Sequence, residues 1–191
     1  MVITVYSDRR SSVVARIASR LSSALARVTG VRRVALLADD LSPVARPAGV
    51  ALHELVAVDD AGFQGLVAQI RRHHDVTVIA PAEGRIEHAF LALELADRVL
   101  LLSDLTVAGI RGVQRILKLC ASLGYAYDKA HVVLYSSGSE AQVSPDDAAA
   151  VLKREVYGRV PSLDHVLSER SFDELANKLL RERLCLAADS S

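Results

Sequence analysis

Short apolar runs that do not alternate with polar residues limit most strongly how this chain can fold. Val2–Tyr6, Val34–Leu37, Val76–Ile79, Arg98–Leu102 and His131–Leu134 carry valine, isoleucine and leucine at consecutive positions. A strand with one wet face alternates polar and apolar residues, whereas a strand covered on both faces is apolar throughout. The stretches between these runs carry the helical period. Val13, Val14, Ile17, Leu21, Leu25 and Val28 fall at three- and four-residue steps and predict a helix over Ser12–Val28, with Gly30 as its stop. Asp59 or Asp60 can cap a second helix through His73, with Phe63, Leu66, Val67 and Ile70 facing inward. Further helices are expected at Ile86–Ala96, from Thr106 to Leu123, after the Ser144-Pro145-Asp146-Asp147 start signal, and at Ser171–Leu184. Val50–Val58 and Val156–Val160 offer two more short strands. Strands alternating with helices from end to end imply a three-layer α/β fold: a doubly wound, mostly parallel sheet with helices on both faces.

Length and composition agree with a single domain. The chain has 191 residues, 51% of them hydrophobic and 24% charged, enough to close one core and short for two. Residues 1–186 are read as that domain and 187–191 as a loose tail. The 23 basic and 23 acidic side chains cancel, which argues against general nucleic-acid binding while leaving a local basic patch open. Cys120 and Cys185 have no CxxC spacing or disulfide framework, so a reduced, cytoplasmic compartment is expected. The N-terminal segment lacks the pattern of a signal peptide. No apolar run reaches the roughly 20 residues that span a bilayer, so membrane contact is expected to be peripheral.

Residues 91–124 carry the pattern further. They read LALELADRVLLLSDLTVAGIRGVQRILKLCASLG: a strand, a Ser-Asp-Leu-Thr turn and a helix bearing Arg111 and Arg115. This block resembles the MinD/ParA-type ATPases, deviant members of the P-loop NTPases, and within them the CpaE/TadZ branch that acts in assembly of Tad-type pili. Val2–Leu25 lies where that family has its first strand, phosphate loop and first helix. Val34–Leu41 lies at strand two and switch I, Asp75–Pro81 at the switch II strand, and Asp128–Ser136 at the strand leading to the base-binding loop. The resemblance spans roughly residues 1–162. The CpaE branch usually carries a receiver-like domain ahead of the ATPase, and none is expected within these 191 residues.

The resemblance also shows what is missing. A phosphate loop uses glycines so that backbone N–H groups can wrap the phosphates, a lysine to neutralise charge, and a hydroxyl to hold Mg²⁺. The family's version is KGGxGK[ST]. Here Ser7-Asp8-Arg9-Arg10-Ser11-Ser12 has neither glycine nor lysine, and it is about four residues shorter than that loop. No GxxxxGK[ST] occurs anywhere in the chain. Arg9, Arg10, Ser11 and Ser12 are the residues that remain to meet a phosphate, with Asp8 beside them. At switch II, Val78-Ile79-Ala80-Pro81 puts Ile79 where the resemblance implies a metal-linked aspartate. At switch I, Ala38-Asp39-Asp40 keeps only Asp40 of an Asp-x-Asp pair. After the late strand, Tyr135 stands where the family often has an adenine-reading Asn.

These residues lead to competing functions. The first is a non-hydrolysing MinD/ParA-like localisation or scaffold protein for Tad-type pilus assembly or secretion. It would need no cofactor, and would act as a homodimer or beside an active relative, peripherally at the inner membrane or cell pole. Asp104, Arg111 and Arg115 would then belong to a partner or dimer face. The second is an active ATPase with a deviant loop, in which Arg9 or Arg10 replaces lysine and Asp40 holds Mg²⁺ for ATP. The third is a receiver-like signalling module. It fits poorly, because Val76–Ile79 runs into Ala80-Pro81 where a phosphorylatable aspartate belongs. Arg111, Arg115 and Lys118 share one helix face, as either a contact stripe or a solvated surface. The Arg71–His74 cluster reads as a helix end, since adjacent histidines point about 100° apart and do not share a metal. No catalytic triad follows from spacing. Cys120 falls at an apolar helix position, and the last helix is expected to pack on the domain with Phe172, Leu175, Leu179 and Leu180 inward.

Overall fold

The apolar runs form a seven-stranded, wholly parallel sheet in the order β3-β2-β4-β1-β5-β6-β7. A computed structural model describes residues 1–8, 11–39, 41, 47–55, 59–82, 86–136, 141–160 and 168–188, and side chains except at 11, 168 and 183–188. The strands are β1 (Val2–Tyr6), β2 (Val34–Ala38), β3 (Val50–Glu54), β4 (Val76–Ala80), β5 (Arg98–Asp104), β6 (Ala130–Tyr135) and β7 (Val156–Val160). The helices are α1 (Ser11–Arg27), α2 (Asp60–His73), α3 (Ile86–Leu95), α4 (Val107–Ser122), α5 (Pro145–Leu152) and α6 (Ser168–Ala188). A short 3-10 turn, Tyr127–Lys129, leads into β6.

The two-sided burial read from the sequence is realised at the centre of the sheet. Every residue of β2 and β4 is buried. One face is covered by α1 and α6, whose Ile17, Leu21, Phe172 and Leu179 meet Ile3, Leu36, Val78 and Leu100. The other face is covered by α2, α3, α4 and α5, through Phe63, Leu91, Leu93, Ile110 and Leu152. The expected inward stripe of the last helix is thus in the core. That helix is longer than expected, running to Ala188, so Ala187 and Ala188 are helical and 189–191 lie outside the described residues. Of the candidate strand at 50–58, residues 50–54 pair with β2, and 56–58 lie outside the described residues.

Local signals set the element ends. Asp59 accepts from the Gly62 N–H at 2.8 Å and caps α2. Ser144 caps α5 with Pro145 in its first turn, and Thr106 caps α4 by accepting from the Gly109 N–H at 3.0 Å. β5 continues past the expected Leu102 through Ser103 and Asp104, both buried, because Ser103 and Asp104 stay paired with Leu134 and Tyr135 of β6.

The strand order reverses at β1. From β1 the chain passes through α1 to β2 on one side, and from β5 through α4 to β6 on the other. Connections that diverge from neighbouring strands leave a crevice at the strands' carboxyl ends.

Candidate functional site

A cavity of ≈ 260 Å³ occupies that crevice. Its walls come from the ends of three strands and the start of one helix: Ser7 and Asp8 after β1, Ser103 and Asp104 at the end of β5, Tyr135 at the end of β6, and the first turn of α4. Gln142 closes one side. Its backbone N–H bonds to the Leu105 carbonyl at 2.8 Å, and its Oε1 accepts from the Val107 N–H at 3.2 Å.

Both carboxylates are held by built features. Asp104 is 8% exposed, and its Oδ1 accepts from the Thr106 hydroxyl at 2.6 Å. The Ser103 hydroxyl donates to the Asp104 carbonyl at 2.8 Å, which steadies the strand end. The Asp8 side chain is 17% exposed, and its Oδ2 accepts from Arg115 at 2.6 Å. Glycines on α4 make room for both. A Cβ at Gly109 would collide with Asp104 Oδ1 and sit 3.0 Å from the Asp104 carbonyl oxygen, and a Cβ at Gly112 would collide with the Asp8 carboxylate. The helix therefore approaches both acids more closely than any other residue type allows.

Other sequence candidates scatter around this crevice. Ser11 and Ser12 open α1, so the β1–α1 connection is only Ser7–Arg10, shorter than the sequence suggested. Arg9, Arg10 and Asp40 lie outside the described residues. Tyr135 is buried, joins the core on the α1 face and reaches the cavity wall. Arg111 is exposed, with no ion pair among the described residues, whereas Arg115, 70% exposed, folds back onto Asp8. Ile79 is fully buried under α2 and α3 and offers nothing polar. Among the described residues no group of three or more His, Cys, Asp or Glu is placed to hold a metal ion.

The structure also brings in residues that the sequence did not single out. Asp39 and His88 form a buried pair, 2% and 7% exposed, with Asp39 Oδ1 3.1 Å from His88 Nδ1. The other oxygen of Asp39 accepts from the Ala82 N–H at 2.6 Å. His88 packs against the Phe63 ring at 5.2 Å. One carboxylate thus ties the segment after β2 to the segment after β4 and to α3. Nothing local in the sequence tells that Asp39 turns inward. Gly109 and Gly112 were the readable signal, since glycine inside a helical pattern marks a close approach.

Two histidines away from the crevice have shifted acidities. Burial holds His131, at the start of β6, below the ordinary histidine pKa, against the opposing pull of Glu182. His53 on β3 is lowered by its partial burial and by His74, whose ring stands edge-on at 5.8 Å.

No protein-family model matches the sequence, and a search of curated proteins finds no match. Solved structures do match. The chain is similar to a chain of the MinC:MinD cell division protein complex of Aquifex aeolicus, with a TM-score of 0.75, 16% identity, and 94% of this chain and 95% of that one covered. It is similar to a ParA family ATPase from Chlorobium tepidum, with a TM-score of 0.69, 14% identity, and 93% and 92% covered. It is also similar to the septum site-determining protein MinD from Pyrococcus horikoshii, solved with Mg-ADP, with a TM-score of 0.73, 14% identity, and 93% and 95% covered. The fold is therefore the α/β P-loop NTPase-like fold of MinD and ParA proteins, matched over nearly its whole length. Identities this low define the fold alone.

Proposed function

We propose that this protein is a non-hydrolysing MinD/ParA-like localisation or scaffold protein. The acid-walled crevice carries this reading. Where the fold brings the end of β1 toward a phosphate, the first charged side chain is Asp8, with Asp104 across from it. Among the described residues, no arginine or lysine lines the cavity. Carboxylates at that point repel a nucleotide's phosphates rather than neutralise them. Two further observations support the reading: the buried Ile79 at the end of β4 and the absence of any GxxxxGK[ST] sequence. The likeness of residues 91–124 to the CpaE/TadZ branch favours a role in Tad-type pilus assembly or secretion. Such a protein would act as a homodimer or with an active relative, peripherally at the inner membrane or cell pole, with Arg111 on its partner face. Among the described residues no helix is long and apolar enough to cross a membrane.

A second reading, a nucleotide-binding ATPase with a deviant loop, draws on the Mg-ADP bound to the Pyrococcus horikoshii relative and on the two serines that open α1. Calorimetry with Mg-ATP and Mg-ADP separates the two. No heat at millimolar nucleotide is the expected result. Micromolar binding that Arg10→Ala abolishes would replace the first reading with the second.

A further inference from the structure

We propose that the outer end of α6 is a pH-released strap, which lifts from the foot of the sheet when His131 takes up a proton. Its seat lies at the amino ends of three strands, opposite the crevice: Arg98 opens β5, His131 is the second residue of β6 and Tyr157 the second of β7. The inner turns of α6 are held by apolar packing, with Phe172, Leu175, Ala176 and Leu179 buried against the sheet and α1. The outer end rests on polar groups instead. Lys178 Nζ donates to the Tyr157 carbonyl at 3.0 Å and lies 3.9 Å from the centre of the Tyr157 ring. His131 packs on that same ring, 4.1 Å between centres. Glu182 Oε2 stands 3.9 Å from His131 Nε2 and 4.0 Å from Arg98 Nε. Both separations exceed a hydrogen bond, so these contacts are loose.

Two polar atoms in this seat are buried without partners. His131 Nε2 and Tyr157 Oη are closed off from solvent, and neither forms a hydrogen bond among the described residues. A buried polar atom left unpaired works against the closed arrangement, because lifting the helix end would return it to water.

Charge makes the seat responsive. While the His131 ring is neutral, the charges around it balance: Arg98 from β5 and Lys178 from α6 face Glu182 from α6 and Asp128 from the turn before β6, with the uncharged Tyr157 from β7. A proton on His131 adds a third cation to a buried space. Burial outweighs the attraction of Glu182 and holds the ring below the ordinary histidine value. A group that binds protons more weakly when covered is uncovered by protons. The strands that carry Arg98, His131 and Tyr157 are joined by the ladder, so the cover that can move is the end of α6.

Hydrogen exchange of the whole protein, read by mass spectrometry at pH 7.5 and 5.5, tests this. Exchange times are scaled for the pH dependence of intrinsic exchange, and peptides over residues 177–182 are compared with those over β2 and β4. Opening of the helix end should rise severalfold across that interval while β2 and β4 keep their protection. The ceiling is about tenfold, the most that one group titrating near 6.5 when uncovered can give. His131→Gln should abolish the rise with β2 and β4 as protected as in the wild type. Glu182→Gln removes the nearest counter-charge for a protonated ring, so its rise should be no smaller than the wild type's. A helix end equally protected at both pH values, one better protected in acid, a rise matched by β2 and β4, a rise that survives in folded His131→Gln, or one lost in Glu182→Gln would each overturn the proposal.

Discussion

Gly109 and Gly112 sit on the same stretch of α4 and face different neighbours, so the same substitution has different consequences at each. Glycine-to-alanine in a helix interior ordinarily stabilises by about 0.5–1 kcal/mol. At Gly109 the new methyl meets a backbone carbonyl as well as a buried carboxylate held by Thr106. Gly109→Ala should therefore destabilise by about 1–3 kcal/mol in urea unfolding. At Gly112 the obstacle is the Asp8 side chain alone, tethered by an exposed arginine. Gly112→Ala should cost less, and adding Asp8→Ala should recover the helix gain, a coupling that a double-mutant cycle would measure. Asp39 is more demanding. Asp39→Ala removes the acceptor of the Ala82 N–H and the partner of His88 together, so a loss of about 3–5 kcal/mol is expected. Asp39→Asn retains an acceptor and should lose clearly less. Equal losses in the two variants would show that charge, not hydrogen bonding, holds this junction.

Helix α6 shows how far sequence pattern carries and where it stops. Phe172, Leu175 and Leu179 mark its inner stripe in the sequence, and all three are buried against the sheet and α1. Phe172→Ala should cost about 3–5 kcal/mol in chemical denaturation, since a fully buried ring leaves a cavity behind. The helix ends were not readable: Ser168–Arg170 are polar and carry no period, yet they are helical. β2 and β4 were legible because every position but Thr77 is apolar and every position is buried. The end of β5 was not, because Ser103 and Asp104 break the apolar run and are kept in the strand by pairing with β6. The crevice follows the same division. Its location comes from strand order, which alternation of elements does not give; alternation gives only the doubly wound parallel sheet. The burial of Asp39 depends on α3 and on the segment after β4, about 40 residues downstream, and no local rule contains it.

For the molecule as a whole, acidity links opposite sides of the sheet. His131 faces Glu182, Lys178 and Arg98, with Asp128 nearby, and His53 faces His74. Both are held below the ordinary histidine value, chiefly by burial. The unfolded chain takes up a proton at each near pH 6.5, whereas the folded chain waits for a lower pH. Their contribution is therefore fully present above that value and is lost as pH falls through the folded values. Urea midpoints should drop between pH 7.5 and 5.5, and His131→Gln should flatten the slope. An unchanged slope in that variant would assign the effect elsewhere.

The central place of β1 has a consequence in time. Its partners are β4 and β5, so Thr4 aligns with Ile79 on one side and Val99 on the other. Of the seven strands a ribosome makes β1 first, yet β4 is complete only at residue 80 and β5 only at residue 104. Until then an apolar pentapeptide waits without its sheet, open to chaperones and to its own kind. The pairings that complete it span long stretches of chain and form slowly. The first strand made thus waits longest for its neighbours, and that interval is when this protein is most exposed to misassembly.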